Sequence, residues 1–180
     1  TASDIPDEYL RQYEIDMPSV PITIDGKGYY ERKSFSIREF YEVLAGTKEI
    51  PATSRVPAAD YLALYTKAWQ EGYTDIINVT INAGGSGTND SAKMAVGLLF
   101  EERPEARDQM QIHIVDSKTY TMAYGYPTIE AAKMAQAGKT VAEILDYLHD
   151  FFDRLEIYLA CYTLDYAKKS GRITAAAALV

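Results

Sequence analysis

Between Ile81 and Ala92 the chain reads Ile-Asn-Ala-Gly-Gly-Ser-Gly-Thr-Asn-Asp-Ser-Ala. A β-branched run from Asp75 to Ile81 feeds into this segment and a helical pattern leaves it, which predicts a strand-to-helix turn. The chemistry open to such a turn is anion binding. Its glycines let a ligand approach the backbone, and the first turn of the helix offers unpaired N–H groups at the positive end of its dipole. Ser86 and Thr88 add hydroxyl donors. A phosphate and a carboxylate suit this cradle equally, so the motif predicts the charge of a ligand and not its identity. Gly-rich turns also serve simply to pack a helix closely on a sheet, and both readings stay open at this point.

Two more polar junctions are candidates to join the cradle: Thr53-Ser54, ahead of a helix opened by Pro57, and Asp116-Ser117, at the end of a strand. Ligands of parallel sheets gather at the carboxyl ends of the strands, which is where these junctions fall. Their competing roles are helix or turn capping for Thr53 and Ser54, and a cap or supporting pair for Asp116 and Ser117. A serine hydrolase is disfavoured, because Gly84-Gly85-Ser86-Gly87 is followed by Thr88 and G-x-S-x-G is not completed. His113 falls within a predicted strand and His149 within a predicted helix, where packing or solvation accounts for them. A phosphate- or nucleotide-binding enzyme rests on the Gly-rich turn alone, without a G-x-x-x-x-G-K-[ST] loop. A purely structural interaction protein would have no use for three polar junctions. The lone Cys161 cannot make an internal disulfide and reads as a packing residue, and no Cys/His spacing predicts a metal site.

The elements that must position these residues alternate along the chain. Val20 to Ile24 is predicted as a strand, Asp25-Gly26 as a tight turn and Tyr29 to Glu31 as its partner. Ser36 with Glu39 is a capping box opening a helix to about Leu44. The Pro57 helix carries Tyr61, Leu62, Tyr65, Ala68 and Trp69 on one face and ends at Gly72. After the Gly-rich turn a helix with Met94, Ala95, Leu98 and Leu99 on its apolar face runs up to Pro104. A strand from Gln111 to Val115 follows, then a helical stretch from Thr119 to Ala137, interrupted by Pro127 and closed by Gly138. Thr140 with Glu143 opens another helix, and a strand from Ile157 to Tyr162 and a short helix through Lys169 complete the pattern. From Asp75 onward this predicts an α/β fold, a parallel sheet flanked by helices on both faces.

With 180 residues, 47% of them hydrophobic and 24% charged, the chain fits one soluble globular domain that buries roughly 70% of its unfolded surface. A formal net charge of -8 argues against a nucleic-acid partner. The apolar runs are too short to span a bilayer and no basic-then-apolar leader is visible, which makes the cytoplasm the default location, with at most transient membrane contact. Thr1 is not an initiator Met and Ala175 to Val180 is an uncapped apolar run, so the domain over residues 1–180 is expected to be incomplete at both ends.

Further matches lie in order along the whole chain. Thr1-Ala2-Ser3-Asp4-Ile5-Pro6 resembles the second half of the I-V-T-D-S-T-S-D-L-P start of the DegV family, bacterial fatty-acid-binding proteins. Asp25-Gly26 with Tyr29 resembles its D-G-x-x-Y, Glu39-Phe40-Tyr41 its E-F-Y, and Pro51 to Ser54 its P-x-T-S. Ser86-Gly87-Thr88 with Ser91-Ala92 is similar to S-G-T-x-x-S-A, Val115-Asp116-Ser117 to I-D-S, and Lys169 to Ile173 to K-G-G-R-I. The chain departs from the pattern at Asn82-Ala83, Gly85, Val56-Pro57 and Ser170, and a C-terminal portion of the family has no counterpart.

This resemblance implies a binding protein and not an enzyme, with no cofactor. An acyl chain would be buried while its carboxylate is held by hydroxyls and presented to a partner fatty acid kinase, which phosphorylates it. By position the holders are Thr53 and Ser86, with Ser54, Gly85, Gly87 and Thr88 beside them and Asp116 and Ser117 at the third junction. Arg172 joins the candidate set, with a turn or an ion pair as its alternative role.

Overall fold

The computed structural model describes residues 4–47, 49–158 and 160. They form two compact units, the smaller built on residues 20–54 with the described residues from 156 on, the larger on residues 4–19 and 55–155.

In the smaller unit, β1 (Pro21–Ile24) and β2 (Lys27–Tyr30) form the expected hairpin. Asp25 and Gly26 both take positive φ, 46° and 77°, the arrangement whose twist matches that of the flanking strands. A short strand the sequence did not announce, β3 (Ala52–Thr53), pairs antiparallel with β1 and places Thr53 opposite Ile22. The sheet order is β2-β1-β3. Helix α1 (Asp7–Gln12) belongs to the larger unit, whereas α2 (Ile37–Ala45) belongs to this one and opens with the predicted capping box. The Ser36 N–H donates to Glu39 at 2.7 Å and the Glu39 N–H to Ser36 Oγ at 3.2 Å. Tyr29, Phe35 and Phe40 stack in sequence at centroid distances of 5.6 and 5.4 Å and hold the hairpin to α2.

The larger unit is built on two parallel strands, β4 (Asp75–Thr80) and β5 (Gln111–Asp116), in register from Asp75↔Gln111 to Thr80↔Asp116. On one face lie α6 (Met122–Gln136) and α7 (Val141–Arg154), whose Tyr124, Ile129, Ile144, Leu148 and Phe152 form a core with Val79 and Val115. Residues alternate across a strand, so Asn78 points to the opposite face. There its amide donates to Tyr65 Oη at 2.6 Å on α3 (Ala58–Gln70), which packs on α4 (Thr88–Glu102). Burial pushes the Tyr65 phenol above its ordinary range, with the Asn78 bond opposing this more weakly. Helix-flanked parallel strands of the predicted kind are therefore present, and a short α5 (Ala106–Gln109) bridges α4 to β5. Gly72 and Gly138, at φ 85° and 76°, close α3 and α6 as predicted.

Several expectations are corrected. Pro127 does not interrupt its helix, and α6 runs unbroken past it. The helix starts at Met122, not Thr119, which puts Pro127 in its second turn. The missing N–H forfeits one bond near that end, and the ring is fully buried. Met94 is 56% exposed, because the seam of α4 is carried by Ala92, Ala95 and Leu99 and lies on the other side of the helix. Of the predicted strand Ile157 to Tyr162, the described residues Ile157, Tyr158 and Ala160 are not in a strand. Cys161, the helix through Lys169, Arg172 and the Ala175 to Val180 run lie outside the described residues.

At the start of α7 the Thr140 N–H donates to Glu143 at 2.9 Å, Lys139 Nζ lies 2.7 Å from the same carboxylate, and Glu143 N–H returns a bond to Thr140 Oγ1. The Lys139 bond, then those of Thr140, hold the Glu143 carboxyl down to about 2. A carboxyl depressed by folding contributes stability above its unfolded value and loses it as pH falls towards the folded one. Wild-type stability should therefore fall more steeply than that of Glu143→Gln between about pH 4.5 and 2. Parallel urea titrations across that window check this, and equal slopes would exclude a role for the carboxylate.

Candidate functional site

The site is built at the carboxyl ends of β4 and β5. β4 delivers the chain to Ile81, and residues 81–87 cross from the sheet to the start of α4 at Thr88. Asn82 organises this crossing. Its Oδ1 accepts from the Gly84 N–H at 2.8 Å, which fixes the orientation of the amide, and its Nδ2 donates to Tyr120 Oη at 3.1 Å. The Asn82 N–H donates to the Thr119 carbonyl at 3.0 Å, so this loop and the one after β5 are joined by backbone and side chain.

Ser86 and Thr88 form a hydroxyl pair with Oγ atoms 3.0 Å apart. The Thr88 N–H reaches Ser86 Oγ at 3.3 Å and the Val56 N–H reaches Thr88 Oγ1 at 3.4 Å. Two hydroxyls carry two protons, and their mutual bond uses one. The Ser86 hydroxyl donates to Thr88 Oγ1 and accepts from the Thr88 N–H; Thr88 is 5% exposed and Ser86 is the more open of the two. Behind them the ends of the strands are unusually polar. Thr80, Asn89, Ser91, Ser117 and Thr119 are all buried, and Asn89 Nδ2 donates to Thr80 Oγ1 at 2.8 Å. Asn89 Oδ1 and Thr119 Oγ1 are buried without a hydrogen-bond partner among the described residues.

The loop after β5 is held in an unusual shape. Lys118 and Thr121 both take φ 56°, the latter with ψ −145°, a region costly for a β-branched residue. Asp116 anchors it: Oδ1 accepts from the Ala83 N–H and the Lys118 N–H, each at 3.0 Å. Among the described residues, no group of three or more His, Cys, Asp or Glu could hold a metal ion. His113 faces Asp75 at 3.4 Å, but Asp75 begins β4 while the Gly-rich loop follows its end, about 16 Å of strand away. Among the described residues, His113 is thus paired with Asp75 and not with a serine of the Gly-rich loop. An open groove of about 280 Å³ between the hairpin and α2, lined by Ile24, Tyr29 and Val43 among others, contains none of these hydroxyls.

Residues 1–180 match the family model described as "uncharacterised protein, DegV family". The chain belongs to the DegV family. It is 30% identical over 179 residues to a DegV domain-containing protein of Clostridium perfringens, covering 99% of this chain and 61% of that protein. A DegV family protein from Thermus thermophilus, described as fatty-acid binding, superposes with a TM-score of 0.82 at 22% identity, covering 99% of this chain and 60% of that one. The fatty acid kinase B3 protein of Streptococcus pneumoniae, loaded with linoleic acid, superposes at 0.63 with 20% identity, covering 76% of this chain and 45% of that one. At these identities the superpositions establish the fold. This DegV chain spans about 60% of the length of the Clostridium relative.

Within the larger unit, the DegV motif residues Gly85, Ser86, Gly87 and Thr88 lie on the loop and first turn of α4, tied to Asp116 through Ala83. Ser117 is 1% exposed and exchanges bonds with Thr119, Oγ to carbonyl and N–H to Oγ, both 3.3 Å. Asp116 and Ser117 thus brace the loops. Thr53 and Ser54 belong to the smaller unit, Thr53 on β3 and Ser54 just after it, with the Ser54 N–H bonded to the Pro21 carbonyl at 3.1 Å. Neither caps α3, whose N-cap is Pro57 without a side-chain bond. Three residues around the Gly-rich loop escaped notice in the sequence: Asn82 as its organiser, and Tyr120 and Arg55, whose side chains stand over Gly85 and Gly87. Only Asn82 left a trace, as a departure from the family pattern.

Proposed function

We propose that this DegV protein is a fatty-acid carrier that buries an acyl chain and offers its carboxylate at the Gly-rich loop to a kinase that phosphorylates it. The observation that carries the reading is the Ser86–Thr88 hydroxyl pair, Ser86 its more open member, at the carboxyl end of β4 in a chain of this family. A carboxylate needs donors and no metal, and the loop supplies hydroxyls beside the N-terminus of a fifteen-residue helix. The fatty acids named for the Thermus and Streptococcus proteins support the ligand class, and the kinase named with the Streptococcus protein supports the partner. Thr53 and Ser54 enter the proposal through the P-x-T-S resemblance, as does Arg172 through K-G-G-R-I. Asp116 and Ser117 serve as braces, since an ionised Asp116 would repel an anion that touched it.

A binding role and not a catalytic one is the reading that the fatty-acid-binding neighbours of this family support. Among the described residues no helix is long and apolar enough to cross a membrane. The test is direct: the full-length protein, stripped of lipid, should gain thermal stability with added palmitate. Ser86→Ala and Thr53→Ala should each weaken palmitate binding by about 1 to 3 kcal/mol, the cost of leaving a charged acceptor short of one donor. Ser86 also accepts from Thr88 N–H, so its removal should lower stability by about 1 kcal/mol as well. Absence of any palmitate-dependent stabilisation would end the carrier reading, and intact affinity with lowered stability would reduce the residue concerned to a local brace.

A further inference from the structure

The stretch Gly85-Ser86-Gly87 is covered on both sides of the serine. A Cβ at Gly85 would stand 2.3 Å from Tyr120 Oη, and one at Gly87 would stand 3.0 Å from Arg55 Cδ and 3.3 Å from its Nη1. Each glycine is thus the seat of another residue's polar end, a phenol hydroxyl on one side and a guanidinium on the other. The phenol is held: Asn82 Nδ2 donates to it, and the strained residues Lys118 and Thr121 bracket the loop that carries it. Because Tyr120 Oη accepts from Asn82, its own proton is left to donate outward. Arg55 is exposed, and its guanidinium makes no ion pair among the described residues. Asn89 Oδ1 and Thr119 Oγ1 are buried without a partner among the described residues, on the sequence neighbours of Thr88 and Tyr120.

We propose that Tyr120 and Arg55 are head-group residues which, flanking Ser86, set the protein's preference for an ionised head over a neutral one. The proposal rests on the carrier reading above and extends it from the motif hydroxyls to two residues that no motif marks. The phenol contributes a short-range donor to one carboxylate oxygen, and the guanidinium a charge that favours the anion over an alcohol of equal chain length. Gly85 is part of the device, since any side chain there would displace the hydroxyl; Tyr120 can yield, because the atom met is the free end of its ring.

The experiment compares palmitate with hexadecanol, binding to lipid-stripped full-length protein at low ionic strength. Tyr120→Phe should lose about 10-fold in palmitate affinity, as expected for one hydrogen bond to a charged acceptor, and leave hexadecanol within about twofold. Arg55→Gln, being exposed, should lose about threefold for palmitate alone, and that loss should shrink as salt is raised. Gly85→Ala should reproduce Tyr120→Phe, and the double variant should be no weaker than either. If the wild type binds palmitate while Tyr120→Phe and Arg55→Gln keep its palmitate-to-hexadecanol ratio, the assignment is overturned and the carrier reading stands. A wild type that bound neither ligand would sink the carrier reading, and this assignment with it.

Discussion

Palmitate should bind the full-length protein at least a hundredfold more tightly than octanoate. If the acyl chain is buried as proposed, the two acids differ by about eight methylenes at roughly 0.8 kcal/mol each, about 6 kcal/mol gross. Ordering a longer flexible chain and incomplete burial offset part of this, and half of it still amounts to about a hundredfold. The polar head is common to both acids, so the hydroxyls of Ser86 and Thr88 cancel in the comparison. Titration calorimetry should also show a more negative heat-capacity change for palmitate, the mark of apolar surface leaving water. Equal affinities for the two acids would mean that the tail is not buried, whatever holds the head.

Leu148→Ala should be the most damaging single change in the larger unit, at about 3 to 5 kcal/mol. Leu148 is fully buried on α7, in the core that joins α6 and α7 to Val79 and Val115. Its truncation removes both the transfer energy of the lost atoms and the contacts of those that lined them, against a total stability of about 5 to 15 kcal/mol for a domain. Met94→Ala is the matching control. A methionine on the inner face of α4 would cost about 2 kcal/mol or more on truncation, whereas the exposed Met94 should change stability by no more than about 0.5 kcal/mol. Urea denaturation of the two variants decides both points, and a large Met94 effect would contradict the orientation of α4.

What could be read from the sequence was local or strictly periodic. The Ser36–Glu39 and Thr140–Glu143 boxes close within three residues, so their residue types are the interaction itself. Asp25-Gly26 carries its turn geometry in its own steric freedom, and Gly72 and Gly138 mark helix ends for the same reason. The strand, Gly-rich turn and helix around Ser86 were legible because the glycines, hydroxyls and β-branched run adjoin. Contacts made at a distance were not. Asn82 meets Tyr120 across 38 residues, and nothing in Thr119-Tyr120-Thr121 announces a loop in place of a helix start. The two residues of β3 are too few for a periodic signal, so the strand on which Thr53 stands, opposite Ile22, could not be read, and helix or turn capping stayed open as its competing role. Met94 misled because its bulk outweighs the small Ala92 in the apolar pattern, although Ala92 is fully buried and Met94 is 56% exposed.

The Asn78–Tyr65 bond behind the sheet has a consequence at high pH. A phenol kept neutral by burial must stay protonated for as long as α3 remains seated, while the same ring in the unfolded chain ionises at about 10. The stability it lends is whole below that pH and drains away as alkali rises towards the folded value. Tyr65 should therefore keep its proton well above pH 10 in the folded protein, and Tyr65→Phe should flatten the alkaline loss of stability seen by urea denaturation. The ultraviolet phenolate signal of that one ring thus reports whether the α3 face is still closed over the sheet.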